Sequence, residues 1–263
     1  MLTLSKLERQ LTAGALILVM IGIFGPFVAQ PVHQHDFADQ RSWGGMAFAM
    51  NVLSNLAFAL WGLTGLACLC SLTKRSWRNR QSGLLALFFV GLVVTAVASS
   101  RYHLQPNDAG LALDRLGMVI AFAGLLGLAA AGRVSDRAGI AVAGAVLVLG
   151  SLSVWWAFAS TQALAWLLIQ FGGMAMILWL ASWPPLTGAL AVRWYLVIGL
   201  YTAAKLLELA DHSIYVWTAY AVSGHTLKHV VASLAAWPVV WALLRSQNPC
   251  RIYTSHSDGR PAH

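Results

Sequence analysis

The stretch "LLALFFVGLVVTAVASSRYH", residues 84–103, decides the fold. Its first part, residues 84–98, carries no charged side chain, and Ser99, Arg101 and His103 follow at one end. A helix of roughly 20 such residues crosses the ~30 Å hydrocarbon core of a bilayer. A second run, "LTAGALILVMIGIFGPFVA" at 11–29, has the same character. The whole chain of 263 residues is 59% hydrophobic and only 10% charged, with a mean hydropathy of +0.68. Soluble domains carry about a quarter charged residues. The composition therefore predicts an all-α, polytopic membrane helical bundle. Short alternating strands, the mark of an outer-membrane barrel, are missing from the sequence.

Working outward from 84–103, eight spans are expected, at about 10–29, 46–70, 83–102, 111–131, 138–159, 162–182, 190–211 and 219–244. Lys6 and Arg9 ahead of an apolar run resemble a signal peptide, but no small-x-small cleavage site follows, so 10–29 is read as a true span. The net charge of +8 comes from residues scattered between apolar runs, not from a basic stripe, which argues against nucleic acid as a partner. Cys68 and Cys70 lie in an apolar run and Cys250 near the end, so no disulfide framework is expected. Glycine-rich stretches such as "GLLGLAAAG" (124–132) suit close helix packing, not phosphate binding.

The charges sort by side. Lys6, Arg9, Lys74, Arg75, Arg78, Arg80, Arg133, Arg137, Arg193, Arg245, Arg251 and Arg260 fall on one face of the membrane, against Arg41, Arg101, Arg115, Lys205 and Lys228 on the other. By the positive-inside rule both termini are cytoplasmic. Acids and histidines sort oppositely: Asp36, Asp39, Asp108, Asp114, Glu208 and Asp211, with His33, His35, His103, His212, His225 and His229, all fall at the non-cytoplasmic ends. Loop solvation accounts for some of these. Ser99, His103, Asp114, Glu208, His225 and His229 lie at or inside span ends, where an ionisable group persists by pairing, facing water or binding something. They suggest a polar site opening outward.

In "AVSGHTLKHVVASLAAW" (221–237), His225 and His229 are one helical turn apart, with both rings on one face, about 6 Å apart along the axis. Two interfacial histidines would look the same, so this pair alone leaves both readings open. "ASSRYHLQPNDAGLALDRL" (98–116) adds Ser99 and His103, also four apart, and a short loop returns Asp114 to the same side. Three histidines with an open fourth position are the usual plan of a catalytic zinc site, which supplies hydroxide near neutral pH. Lys205 is expected to pair with Glu208 at i, i+3, and Asp211 and Glu208 to bond the metal histidines and fix their tautomers.

The order Ser-x3-His, eleven residues on to Asp, then a late His-x3-His, resembles the CREST superfamily of membrane hydrolases, and within it the alkaline ceramidases. The matching segments are "SSRYH" (99–103), "LDRLGM" (113–118) and "GHTLKH" (224–229), with "FADQRSWGGMAFAMNVLSNLAFALWGL" (37–63) similar to the family's first core helix, including Asn51, Ser54 and Asn55. "FADQR" and "SGHTLKH" look most like the bacterial ceramidase-like branch. The resemblance covers about residues 36–245. It implies a seven-helix core at 31–245, an extra N-terminal transmembrane helix within 1–30, and a flexible cytoplasmic tail at 246–263. It further implies zinc on His103, His225 and His229, with Asp114 as general base and Ser99 steadying the oxyanion during attack on an amide carbonyl. The implied substrate is a ceramide-like N-acyl lipid of the membrane.

The match has departures. "GGMAFAMN" (44–51) lacks the acid that helps hold calcium in the animal enzymes, which leaves Asp36 and Asp39 as candidate calcium ligands, with loop solvation as their competing role. Arg115 stands beside Asp114 where the family has an acid. The alternative reading is a zinc-stabilised seven-helix receptor or sensor of the same superfamily, akin to the adiponectin and progestin receptors or the haemolysin-III group. A metal transporter is disfavoured, because the inner halves of the spans are almost purely apolar.

Overall fold

A computed structural model describes residues 4–71 and 80–246. The expected loop charges Lys74, Arg75 and Arg78 and the expected tail beyond Ser246 lie outside the described residues. Among the described residues the protein is helical without a strand. Two isolated bridges, Ala29 with Gln162 and Trp43 with Met46, tie loop segments. The helices are α1 (Lys6–Phe24), α2 (Ala49–Ser54), α3 (Leu56–Cys70), α4 (Arg80–Leu104), α5 (Asp108–Arg133), α6 (Asp136–Ser160), α7 (Leu164–Leu167), α8 (Gly173–Ala181), α9 (Trp194–Leu209), α10 (Asp211–Trp217), α11 (Gly224–Leu234) and α12 (Trp237–Ser246).

Among the described residues, seven helical segments are long and apolar enough to cross a membrane: Lys6–Phe24, Ala49–Cys70, Gln81–Leu104, Asp108–Arg133, Asp136–Ser160, Leu164–Ala181 and Gly224–Ser246. The segment expected as a span at 190–211 behaves differently. Its helix α9 has 16 residues, and α10 follows at once as a separate short helix. At 1.5 Å per residue α9 reaches only about 24 Å. The last span also starts later than expected. Ala219 and Tyr220 both adopt left-handed backbone, with φ of 51° and 63°, so regular helix begins only at Gly224.

Local sequence sets the helix ends. Ser5 and Glu8 form a reciprocal capping box on α1. Asn107, Ser135 and Ser223 cap α5, α6 and α11 by accepting from backbone N–H groups that have no helical partner. Between Ser54 and Leu56 the helix is interrupted at Asn55, whose side-chain amide donates to the Asn51 carbonyl at 2.9 Å. Between α7 and α8 runs a π-helical turn, Leu168–Gly172. It presents Gln170 to the Tyr201 hydroxyl, which donates to its carbonyl oxygen at 3.1 Å.

Packing centres on α4, α5 and α6. A Cβ added at Gly91 of α4 would lie 2.2 Å from the Ala121 backbone nitrogen of α5, and one at Gly124 would lie 2.3 Å from that of Phe88. These helices therefore approach backbone to backbone, as small residues permit in membrane bundles. Phe89, Leu128, Leu180 and Val239 are fully buried in the surrounding core. α1 lies against the α7–α8 segment and is pinned at its start by Glu8, which accepts from Ser135 at 2.8 Å and from Arg137 at 2.6 Å. The C-terminal ends of α4 and α9 and the N-terminal ends of α5 and α11 come together at the opposite end of the bundle, under the loop at 25–48.

Candidate metal centre

His103 is the penultimate residue of α4, and His225 and His229 occupy the first turns of α11. All three are buried. One ring nitrogen from each lies within 4.8 Å of the other two, forming the only such group of three or more His, Cys, Asp or Glu among the described residues. His103 Nε2 and His225 Nε2 are 3.3 Å apart. Two nitrogens bound to one tetrahedral ion at 2.0–2.1 Å stand about 3.3 Å apart, so this spacing fits a shared metal.

The hydrogen bonds fix which lone pairs face inward. The Ser54 hydroxyl lies 3.0 Å from the Asn51 carbonyl and 2.7 Å from His229 Nδ1. A carbonyl only accepts, so the arrangement that satisfies both contacts has Ser54 donating to Asn51 and accepting from His229 Nδ1–H. That leaves the Nε2 lone pair of His229 for the cluster. Lys228 Nζ stands 2.9 Å from His225 Nε2. An ammonium only donates, so this nitrogen also presents a lone pair. Such a donor set suits a divalent cation held by neutral imidazoles. A metal on His225 uses the lone pair that Lys228 touches, and Lys228 has a second acceptor in Glu208 Oε1 at 3.0 Å. His103 Nδ1 is buried with no hydrogen-bond partner among the described residues.

The supporting residues come from distant parts of the chain. Asn51 is fully buried and accepts from the Thr226 hydroxyl at 2.8 Å, tying α2 to α11. Ser99 is buried one turn before His103 on α4. Its side chain lies near the Asp114 carboxylate, which also lies in the field of Lys228, Glu208 and Arg115. Asp114 sits inside α5, not at its opening, because that helix starts at Asp108. Ser99, His103, Asp114, His225 and His229 thus gather at one end of the bundle.

Two expectations need correction. Asp211 does not bond an imidazole. Its Oδ1 accepts from the His225 backbone N–H at 2.7 Å and its Oδ2 from the Ala38 N–H at 3.0 Å. It therefore anchors the start of α11, where the helix dipole favours a carboxylate, and the loop above it. Glu208 likewise bonds no histidine directly; it accepts from Lys228 and pairs with Lys205, as the i, i+3 spacing suggested for the latter. Asp36 and Asp39 belong to no group of three or more His, Cys, Asp or Glu side chains able to share an ion among the described residues. Asp36 is exposed. Asp39 is 1% exposed and holds Arg41 in a fork, with bonds of 2.8 and 2.6 Å, while Tyr215 donates to it at 3.3 Å. Burial acts to raise the Asp39 pKa, but the Arg41 hydrogen bonds and charge and the Tyr215 hydroxyl outweigh it and hold the carboxyl below its ordinary range.

The sequence reading assigned no role to Ser54, Lys228 or Phe37. Ser54 meets His229 across 175 positions of sequence. Its visible signals were a cluster of polar side chains, Asn51, Ser54 and Asn55, within an apolar span, and the place of that cluster in the resemblance over 37–63. The Phe37 ring packs edge-on against His103 and His225, with centroids 4.7 and 4.6 Å away.

Fold and site together define a helical bundle of membrane-spanning character with a buried three-histidine group able to hold a metal ion. Compared with family models, curated proteins and solved structures, the chain finds no match in any of the three.

Proposed function

We propose that the protein is a zinc-dependent integral-membrane amidase that hydrolyses an N-acyl lipid, in the manner of the alkaline ceramidases its motifs resemble. The observation that carries this reading is the meeting of three buried imidazoles, with Ser99 one turn before His103 on α4 and Asp114 at the same end of the bundle. When bound, zinc supplies Lewis acidity, polarising an amide carbonyl and lowering the pKa of water. Asp114 takes the proton from the attacking water and returns it to the departing nitrogen as the C–N bond breaks. Oxygen from water ends on the acyl carbon and the proton on the amine, so the products are a fatty acid and a free amine. Ser99 offers its hydroxyl to the oxygen that gains charge.

The three-histidine group contains no fourth Cys, His, Asp or Glu among the described residues. That supports an open position for water over the closed, four-ligand metal of a receptor. On the charge asymmetry, both termini are cytoplasmic and the site faces the periplasmic side of a bacterial inner membrane. Metal analysis of the purified protein, run beside a screen of N-acyl lipid hydrolysis, tests the reading. His103→Ala is expected to lose both bound zinc and hydrolysis. Hydrolysis that survives in a zinc-free His103→Ala protein overturns it.

A further inference from the structure

Lys228 carries more donors than the fold supplies with acceptors. Its Nζ stands 2.9 Å from His225 Nε2 and 3.0 Å from Glu208 Oε1. His225 Nε2 is itself one of the nitrogens turned into the cluster, 3.3 Å from His103 Nε2. An ammonium has three N–H donors and no acceptor. A metal on His225 takes the lone pair that one of these donors faces, and Glu208 then remains as the protein acceptor of Lys228 among the described residues. An N–H of Lys228 is thus aimed at the metal centre with no group of the protein to receive it.

Charge points the same way. Lys205 and Lys228 share the single carboxylate of Glu208, which cannot neutralise both. The other acids at this end are engaged elsewhere: Asp211 accepts from the backbone N–H groups of His225 and Ala38, and Asp114 is flanked by Arg115. Asp114 also lies in the field of Lys228, so the ammonium and the proposed base serve the same end of the bundle. We infer that Lys228 is a further catalytic residue of the site: its ammonium donates to the substrate oxygen that gains negative charge, and then to the carboxylate of the released fatty acid. Lys228 keeps its proton throughout and forms no covalent bond. It adds a charged donor to the Ser99 hydroxyl, and a charged donor makes the shorter and stronger hydrogen bond. The inference rests on the proposed function, because it names a second donor for that reaction.

The test uses the full-length, zinc-loaded protein in nonionic detergent micelles, comparing wild type with Lys228→Met, Lys228→Arg and Lys205→Met. The readouts are bound zinc, turnover of a panel of N-palmitoyl lipids, and calorimetric binding of hexadecylphosphonate, a tetrahedral anion on a long chain, beside uncharged hexadecanol. Lys228→Met is expected to keep its zinc, because Lys228 is outside the three-histidine group. It should lose about 10²–10³-fold in kcat with little change in KM. It should bind hexadecylphosphonate about 10–100-fold more weakly, as loss of a charged hydrogen bond implies, while hexadecanol binds as before. Lys228→Arg should recover most of the phosphonate affinity. Lys205→Met removes an equal charge from the same carboxylate but no contact to His225, and should stay near wild type. Equal losses in Lys205→Met and Lys228→Met reduce the effect to general charge and overturn the inference. Equal weakening of both probes, the result of a merely structural role, overturns it too. So does a Lys228→Met protein that loses its zinc or turns over lipid at the wild-type rate, and hydrolysis by wild type then still upholds the functional reading. A wild type that holds no zinc and hydrolyses none of the panel refutes that reading, and the inference with it.

Discussion

Ser54 offers the sharpest test of the metal centre, because the structure predicts what its removal does to one named nitrogen. Its oxygen is 2.7 Å from His229 Nδ1 and 3.0 Å from the Asn51 carbonyl, and it holds His229 as the Nδ1–H tautomer. In Ser54→Ala, Nδ1–H is left in a buried position without that acceptor. A buried polar group deprived of its partner costs about 1–3 kcal/mol, and loss of a hydrogen bond behind a metal ligand lowers affinity about 10–100-fold. The two estimates agree, since that range corresponds to ~1.4–2.7 kcal/mol. Ser54→Thr keeps the hydroxyl and should keep most of the affinity. The assay is a competition titration with a chromophoric zinc chelator on detergent-solubilised protein, with circular dichroism confirming that the helices persist. Zinc affinity within about twofold of wild type in folded Ser54→Ala would refute the tautomer assignment, because it lies below the range such a bond commands.

Asp114→Asn should retain zinc, because Asp114 is outside the three-histidine group, yet lose about 10²–10⁴-fold in turnover if it is the base; paired metal analysis and lipid hydrolysis read the two effects separately. Gly224→Ala would put a Cβ 2.2 Å from the Leu207 carbonyl oxygen and 2.8 Å from Asp211 Cα, both backbone atoms that cannot step aside. It should lower stability by at least the ~1–3 kcal/mol of an overpacked site and weaken zinc binding, read by thermal melting and metal titration. Acid should loosen the loop around Asp39. A depressed folded-state pKa means that this contribution to stability is present above the unfolded value of about 3.9 and is lost as pH falls through the folded one. Limited proteolysis across 38–48 on stepping from neutral pH to below that value should show it, and Asp39→Asn should already be labile at neutral pH.

The helical class and most spans were legible in the sequence because hydrophobicity over some 20 residues is a local property. The breaks were less legible. Nothing local marks the interruption at Asn55, where side chains compete for the Asn51 carbonyl, or the π turn at Leu168–Gly172 that turns Gln170 toward Tyr201. The left-handed residues Ala219 and Tyr220 are not types that favour such backbone, so the late start of the last span was hidden too. In the site, His225 and His229 were readable from the helical repeat, and His103 from its position at a span end. Ser54 and Phe37 were not, because their roles exist only when segments far apart in sequence meet. Asp211 was singled out and given the wrong partner. Its proximity to the histidines was visible from topology, but whether a carboxylate reaches a ring or a backbone N–H depends on where helix α11 starts.

Lys228, the charge that looks most out of place in an apolar segment, is sustained by two neighbours, Glu208 and His225. Glu208 in turn pairs with Lys205, so neither lysine nor the carboxylate stands alone where an isolated charge is costly. Glu208 and Lys205 belong to α9 and Lys228 to α11. The carboxylate of Asp211, at the start of α10, grips the His225 N–H, and Gly224 admits the Leu207 carbonyl of α9 at a distance no side chain permits. An ion pair, a backbone hydrogen bond and a glycine contact therefore fix the same joint between α9, α10 and α11, and that joint sets where His225 stands. His103 arrives on a different helix, locked through α4 and α5 by backbone-to-backbone packing at Gly91 and Gly124. The 3.3 Å spacing between the two Nε2 atoms is the difference between two independently fixed positions. A metal bound there gains from rigidity already present in the bundle, since little side-chain freedom is left to lose.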